Sequence, residues 1–378
     1  MINCPIVIFQ WGYKEIMNIL TLNAISEKAN QILDGYTLAK ECENPVGILV
    51  RSFNMNEWDL PTSVLAVARA GAGVNNIPHS DYAQKGVCVF NTPGANANAV
   101  KELAIASLIL ASRNLYPAMS WAKTLTGDDV AKQVEKGKGQ FVGNEILGKT
   151  LCVVGLGAIG KKVATSAHAL GMNIVSYTVG SDEDYSVTMP FVTMFDNLEN
   201  AVKNADFITV HIPYLPATKN TINSDLISSM KKGVIIINSA RGEIADLDAV
   251  KKGIADGIIR GYVLDFPTEE SIGADGIVNI PHLGASTEEA EDNCAVMASN
   301  SLKEYIEKGN VLNSVNLPNI AIEPTKAHRY TVISNSDVVL DGVSATRNGL
   351  KYSIIDTDAE IDETTLQKDG VIKVRKVF

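Results

Sequence analysis

An arginine and a histidine stand out because each follows a short apolar run and opens a loop. Arg241 lies in Asn238-Ser239-Ala240-Arg241-Gly242 and His282 in Pro281-His282-Leu283-Gly284-Ala285-Ser286-Thr287. A guanidinium is a planar fork that matches a carboxylate. An imidazole exchanges a proton near neutral pH, and a carboxylate hydrogen-bonded to it orients the ring and strengthens it as a base. Asp265, Glu269 and Glu270 lie between the two loops. Such a set has the chemistry to hold an anionic acid by its carboxylate and to take a proton from its hydroxyl. No metal site is expected. The five cysteines (Cys4, Cys42, Cys88, Cys152, Cys294) are scattered, without Cys-x-x-Cys pairs or histidines at ligand spacing, which reads as reduced, mostly buried thiols.

The elements that must position this chemistry alternate between strand and helix. Thr150 to Val154 is short, apolar and β-branched, and it breaks into Gly155, Gly157 and Gly160 before the helix-forming stretch Ala158 to Leu170. Strand, glycine turn and helix N-terminus together cradle a pyrophosphate. Gly155, Gly157, Ala158, Ile159 and Gly160 are therefore candidate cofactor contacts. The next unit ends at Tyr177-Thr178, where an acidic residue about 20 positions past the glycines would hold a ribose diol. Thr178 stands there, with Ser181-Asp182-Glu183-Asp184 just beyond. Thr178 to Pro190 contains no Lys or Arg for a 2′-phosphate, so NAD is expected rather than NADP. Further strands are expected at Phe207 to His211, Val234 to Asn238 and Tyr262 to Leu264. His211-Ile212-Pro213 then falls at the ligand-binding edge of a parallel sheet.

The N-terminal part repeats the alternation. Strands at Ile19 to Leu22, Val46 to Val50, Leu65 to Ala68 and Val87 to Phe90 carry Arg51-Ser52 and Arg69-Ala70-Gly71-Ala72-Gly73 at their C-terminal ends. Two arginines beside a glycine loop suit an anionic substrate. Glu288 to Lys308 is expected to be a long helix. After Pro318 alternating β-branched runs and a helix at Asp362 to Lys368 describe a small α+β unit. With 378 residues the chain has room for two or three domains, and its net charge of −10 argues against non-specific binding to nucleic acid or an anionic membrane, both of which need a basic face. No stretch reads as a signal peptide or a membrane span. Residues 1–16 are expected to be an extension outside the fold.

In that order and spacing, GLGAIG, HIP, NSARGEI, DFPTEE and PHLGAST resemble the D-2-hydroxyacid dehydrogenase family. Arg51-Ser52, RAGAG with VNNI, and NTPGAN through Glu102 resemble its phosphoglycerate-oxidising branch, over about Met17 to Pro318. The resemblance implies an α/β fold in which a doubly wound Rossmann NAD domain (92–281) is inserted in a flavodoxin-like substrate domain (17–91 and 282–318). Residues 326–378 resemble a shortened ACT-like regulatory domain.

The resemblance also implies roles. Arg241 would bind the substrate carboxylate and His282 would be the acid/base, partnered by Glu270 on an ungapped count or by Glu269 on local matching. Asp265, Tyr177, Ala240 and Gly284 would line the cofactor with His211, Pro213, Arg241 and His282. Arg51, Ser52, Arg69, Ala72, Gly73, Asn98 and Lys101 would surround a phosphorylated hydroxy acid. The implied reaction is NAD-dependent oxidation of 3-phospho-D-glycerate in the cytoplasm by a homodimer, or a tetramer if the C-terminal units pair. The rival expectations are oxidation of another D-2-hydroxy acid, such as lactate or glycerate, and an NAD-sensing binding protein on the same fold.

Overall fold

The computed structural model describes residues 17–180 and 183–378. The extension expected at 1–16, together with Ser181 and Asp182, lies outside the described residues. The chain divides into two compact units, residues up to 95 with 291–378, and residues 96–290.

The first unit contains β1 (Met17–Leu22), β2 (Tyr36–Ala39), β3 (Gly47–Val50), β4 (Ala66–Arg69) and β5 (Cys88–Phe90), all parallel, in the order β2-β1-β3-β4-β5. This is the flavodoxin order. Alternation along the strands fills two cores, with Ile19, Leu49, Ala66 and Ala68 on one face and Leu20, Ile48, Val50 and Val67 on the other. A strand buried on both faces must be apolar throughout, and β3 is buried at all four positions. The helix Glu288–Lys308 adds Ala295, Ala298 and Leu302 to the first face, a spacing that keeps three side chains on one helical stripe.

The second unit is a seven-stranded parallel sheet of β6 (Thr150–Val154), β7 (Asn173–Tyr177), β8 (Val192–Met194), β9 (Phe207–Val210), β10 (Val234–Asn238), β11 (Ile259–Leu264) and β12 (Ile277–Asn279). Its order is β12-β11-β10-β9-β6-β7-β8. Connections reverse direction between β6 and β9, and such a switch point is where dinucleotides bind in doubly wound sheets. The passage 124–143, which sequence composition marks only as polar and Gly/Lys-rich, includes the helix Val130–Gly137.

Residues beyond 327 form a four-stranded antiparallel sheet of β13 (His328–Asn335), β14 (Val343–Arg347), β15 (Leu350–Thr357) and β16 (Val371–Lys376), ordered β14-β15-β13-β16. The helix expected at Asp362 to Lys368 is only a 3-10 turn, Glu363–Leu366, capped by the Asp362 carboxylate. Two consecutive β-branched residues, Thr364 and Thr365, weaken a longer helix there. Ile333, Leu350, Tyr352 and Ile354 join the core of the first unit. Arg329 is fully buried and pairs in a bidentate manner with Asp356 at 2.7 and 2.9 Å, while its remaining nitrogen donates to the carbonyls of Lys308 and Ile322. The hydrogen bond from Arg329 holds the Asp356 carboxyl down to about 2.

Candidate active site

The glycine turn is built by steric necessity at two of its three glycines. Gly155 has φ +93°, and a Cβ there would lie 2.8 Å from Ile212. A Cβ on Gly160 would lie 1.9 Å from the Gly155 carbonyl oxygen. Neither position admits a side chain. Gly157 differs. It precedes the helix Ala158–Ala169 with φ −73°, and a Cβ there would meet nothing within 4 Å. Among the described residues nothing requires glycine at 157, and Gly157 and Ala158 are exposed at the tip of the turn, while Ile159 is half-buried. Open space in front of helix N–H groups is what a pyrophosphate needs, so the turn fits a dinucleotide.

Thr178 faces the same turn. Its hydroxyl accepts the Leu156 N–H at 3.3 Å, and the Tyr177 carbonyl accepts the Gly155 N–H at 2.9 Å. The residue at the ribose position therefore braces the loop through its oxygen. Nearby, Lys161 on the first helical turn pairs with Glu183, and the Tyr185 hydroxyl donates to the Leu156 carbonyl at 3.3 Å. His211 follows β9. One ring nitrogen bonds the Thr209 hydroxyl at 2.9 Å, and the other is buried with no partner among the described residues. Burial pushes this imidazole down to about 4, which keeps it neutral at physiological pH. Pro213 is exposed beyond it.

The arginine loop follows β10 and the histidine loop follows β12, and the two meet at Phe266, just after β11. Buried Asn238 donates to the Arg241 carbonyl at 2.8 Å and accepts the Ala240 N–H at 3.1 Å, fixing the bend that presents Arg241. The guanidinium donates back to the Ala240 carbonyl at 2.6 Å. Asp265, only 1% exposed, accepts the N–H groups of Leu283 and Gly284, both at 2.8 Å, one on each carboxylate oxygen. Burial raises its pKa, and those two bonds oppose the rise. A Cβ on Gly284 would stand 3.0 Å from the same carboxylate. His282 adopts φ +54°, a left-handed conformation unusual for a non-glycine residue, and Asp265 holds it by clamping the next two residues. The Phe266 ring lies 4.5 Å from the His282 ring and 5.4 Å from the Arg241 guanidinium carbon. Glu269 and Glu270 are both exposed in the loop after β11.

Within the first unit, Arg51 follows β3 and Arg69 ends β4. Arg69 donates to Asn76 at 3.0 Å, and Asn76 donates to the carbonyls of Arg51 and Phe53. Gly71 has φ +157°, and a Cβ there would lie 2.1 Å from the Arg69 guanidinium, so a side chain would displace Arg69 from its place beside Asn76. Arg51 pairs with Glu291 at 2.8 Å. The Ser52 N–H donates to Asn23, and the Ala72 carbonyl accepts from Asn91, with Gly73 following. On the helix Ala97–Ser112 of the second unit, Asn98 and Lys101 both contact Glu102. Sequence pattern did not single out Phe266, Asn238 or Asn76. Each lies inside a recognised string (DFPTEE, NSARGEI and VNNI), and membership in it is the signal the sequence offers for them.

Comparison with known proteins agrees with this geometry. Residues 105–286 match the family described as D-isomer specific 2-hydroxyacid dehydrogenase, NAD binding domain. A D-3-phosphoglycerate dehydrogenase from Methanocaldococcus jannaschii is 36% identical over 76% of this chain and 55% of its own length. A hydroxypyruvate reductase from Thermotoga maritima is 37% identical over 60% of this chain and 72% of its own. The structure of an NAD-bound 3-phosphoglycerate dehydrogenase from Entamoeba histolytica superposes with a TM-score of 0.62 at 24% identity, covering 80% of this chain and 99% of that one. The chain spans about half the length of several of the phosphoglycerate dehydrogenases it matches. The protein is a member of the D-2-hydroxyacid dehydrogenase family, and its second unit carries that family's NAD-binding domain.

Proposed function

We propose that this protein oxidises 3-phospho-D-glycerate to 3-phosphohydroxypyruvate with NAD. The observation that carries the reading is the convergence of Arg241 and His282 on the Phe266 ring, in the unit that also holds the glycine turn. When bound, the nicotinamide supplies the hydride acceptor. The Arg241 fork holds the substrate carboxylate and polarises the oxygen on C2. His282 takes the hydroxyl proton as the hydride leaves C2, with Glu270, or Glu269 in its place, stabilising the imidazolium that results. The roles that the family resemblance implies for the phosphorylated end, at Arg51, Ser52, Arg69, Ala72, Gly73, Asn98 and Lys101, are part of the proposal. A homodimer through the NAD-binding unit is part of the proposal. It is supported by the helix Leu115–Ala122, which buries no residue within the chain while exposing Leu115, Tyr116 and Met119.

A second reading is oxidation of an unphosphorylated D-2-hydroxy acid, or reduction of the corresponding 2-oxo acid. It is favoured by the match to a hydroxypyruvate reductase and by the partners Arg51 and Arg69 already have in Glu291 and Asn76. Steady-state NADH formation from a panel of phosphorylated and plain hydroxy acids separates the two. The first reading expects phosphoglycerate to have the highest kcat/KM and Arg69→Ala to raise its KM. Turnover confined to plain acids replaces it with the second. An absence of turnover with retained NADH binding would leave an NAD-sensing binding protein.

A further inference from the structure

We propose that Phe266 is a positioning residue that sets the side chains of Arg241 and His282 relative to each other. The inference rests on the dehydrogenase reading, in which those two groups act on one substrate. The backbones of both loops are already anchored, one by Asn238 and the other by Asp265. Those anchors act on the backbone, and the Arg241 guanidinium is further tethered by its bond to the Ala240 carbonyl at 2.6 Å. The Phe266 ring is a contact that the two side chains share. Its centroid is 4.5 Å from the His282 ring at an interplanar angle of 47°, and the Arg241 guanidinium carbon is 5.4 Å from the same centroid.

The ring itself is also held by the core of its unit. Phe266 follows buried Asp265 directly and packs, half-buried, against the core that contains Leu264, Ile244 and Tyr262. A Cβ on Gly242 would be in ordinary contact with the Phe266 Cβ at 3.5 Å, so the turn after Arg241 also lies along this residue. An aromatic ring is suited to the task in a way an aliphatic side chain is not. Its quadrupole attracts a cation near either face, and both neighbours are cationic once His282 has taken a proton. A purely structural Phe266 would instead serve only as apolar volume, which leucine also supplies.

The test uses the full-length protein as wild type, Phe266→Leu and Phe266→Tyr, with kcat and KM measured on the best acid of the panel and NADH affinity measured by fluorescence. The leucine variant is expected to lose about tenfold in kcat/KM through both a higher KM for the acid and a lower kcat, with NADH affinity unchanged within twofold. Tyrosine keeps the ring and is expected to recover most of the loss. A leucine variant within twofold of wild type, or a tyrosine variant as impaired as leucine, overturns the proposal.

A second readout does not depend on activity or on any Phe266 variant folding. The protein has five histidines, so the His282 ring proton resonances can be assigned by their loss in His282→Ala. The ring current of Phe266 should displace them from ordinary histidine positions in the wild type, and ordinary positions overturn the contact. If the wild type turns over no acid, the dehydrogenase reading fails while the resonances still decide the geometry.

Discussion

The glycine turn and the His282 loop both follow strands of one parallel sheet, yet different forces hold them. The turn is shaped by sterics, since Gly155 and Gly160 exclude any side chain and the bend follows. The His282 loop is under a smaller steric demand, a Cβ on Gly284 standing 3.0 Å from the Asp265 carboxylate. One buried carboxylate, Asp265, holds it by accepting two consecutive N–H groups, and the left-handed backbone of His282 is the consequence. The first device is cheap and rigid. The second costs the desolvation of a carboxylate, and it places a side chain that must handle protons. The C-terminal sheet uses a related device, with the buried Arg329–Asp356 pair tying β13 to the carbonyls of Lys308 and Ile322.

Substitutions can break this contrast. The largest effect is expected at the buried ion pair. Asp356→Asn leaves Arg329 without its counter-charge and should cost about 3–5 kcal/mol in denaturant unfolding at neutral pH. The acid limb gives the sign. Because the folded carboxyl is held down to about 2, its contribution is present above the unfolded carboxylate range near 4 and is lost as pH falls from there through about 2. Wild-type stability should decline across that window, and Asp356→Asn should flatten the decline.

Gly160→Ala should cost about 3 kcal/mol, because its Cβ meets a backbone oxygen that cannot move independently; thermal and denaturant unfolding would measure it. Asp265→Asn comes next. One of its two acceptor oxygens becomes an NH₂ facing an N–H, so the His282 loop should shift and kcat fall about 100-fold, while NADH affinity stays within a few-fold. The smallest effect is expected at Gly157→Ala, with stability within about 0.5 kcal/mol of wild type and NADH affinity about tenfold weaker, or roughly 1.4 kcal/mol. If Gly157→Ala destabilised the fold and left NADH affinity intact, the division between sterically required and ligand-facing glycines would be wrong.

The same contrast explains what could be read in advance. The glycine turn, the two parallel sheets and the arginine and histidine loops are legible because periodicity, glycine spacing and loop strings record backbone requirements directly. The role of Asp265 is not, since a carboxylate after an apolar run looks the same whether it faces a cofactor or clamps a neighbouring loop. Thr178 is similar, a departure visible in sequence whose bracing of Leu156 only coordinates reveal. The expected helix at Asp362 to Lys368 fails for a local reason, because a good cap at Asp362 is followed by two threonines. Phe266 lies inside the DFPTEE string, but nothing in that string assigns it a role. Its meaning depends on two partners, one 25 residues before it and the other 16 after it in the sequence.

The most direct test of the account compares NADH formation by the wild type and His282→Ala on the best acid of the panel, with NADH binding measured in parallel. The account predicts a loss of about a thousandfold in turnover with NADH affinity unchanged. Turnover within a few-fold of wild type would remove His282 from the chemistry and contradict it.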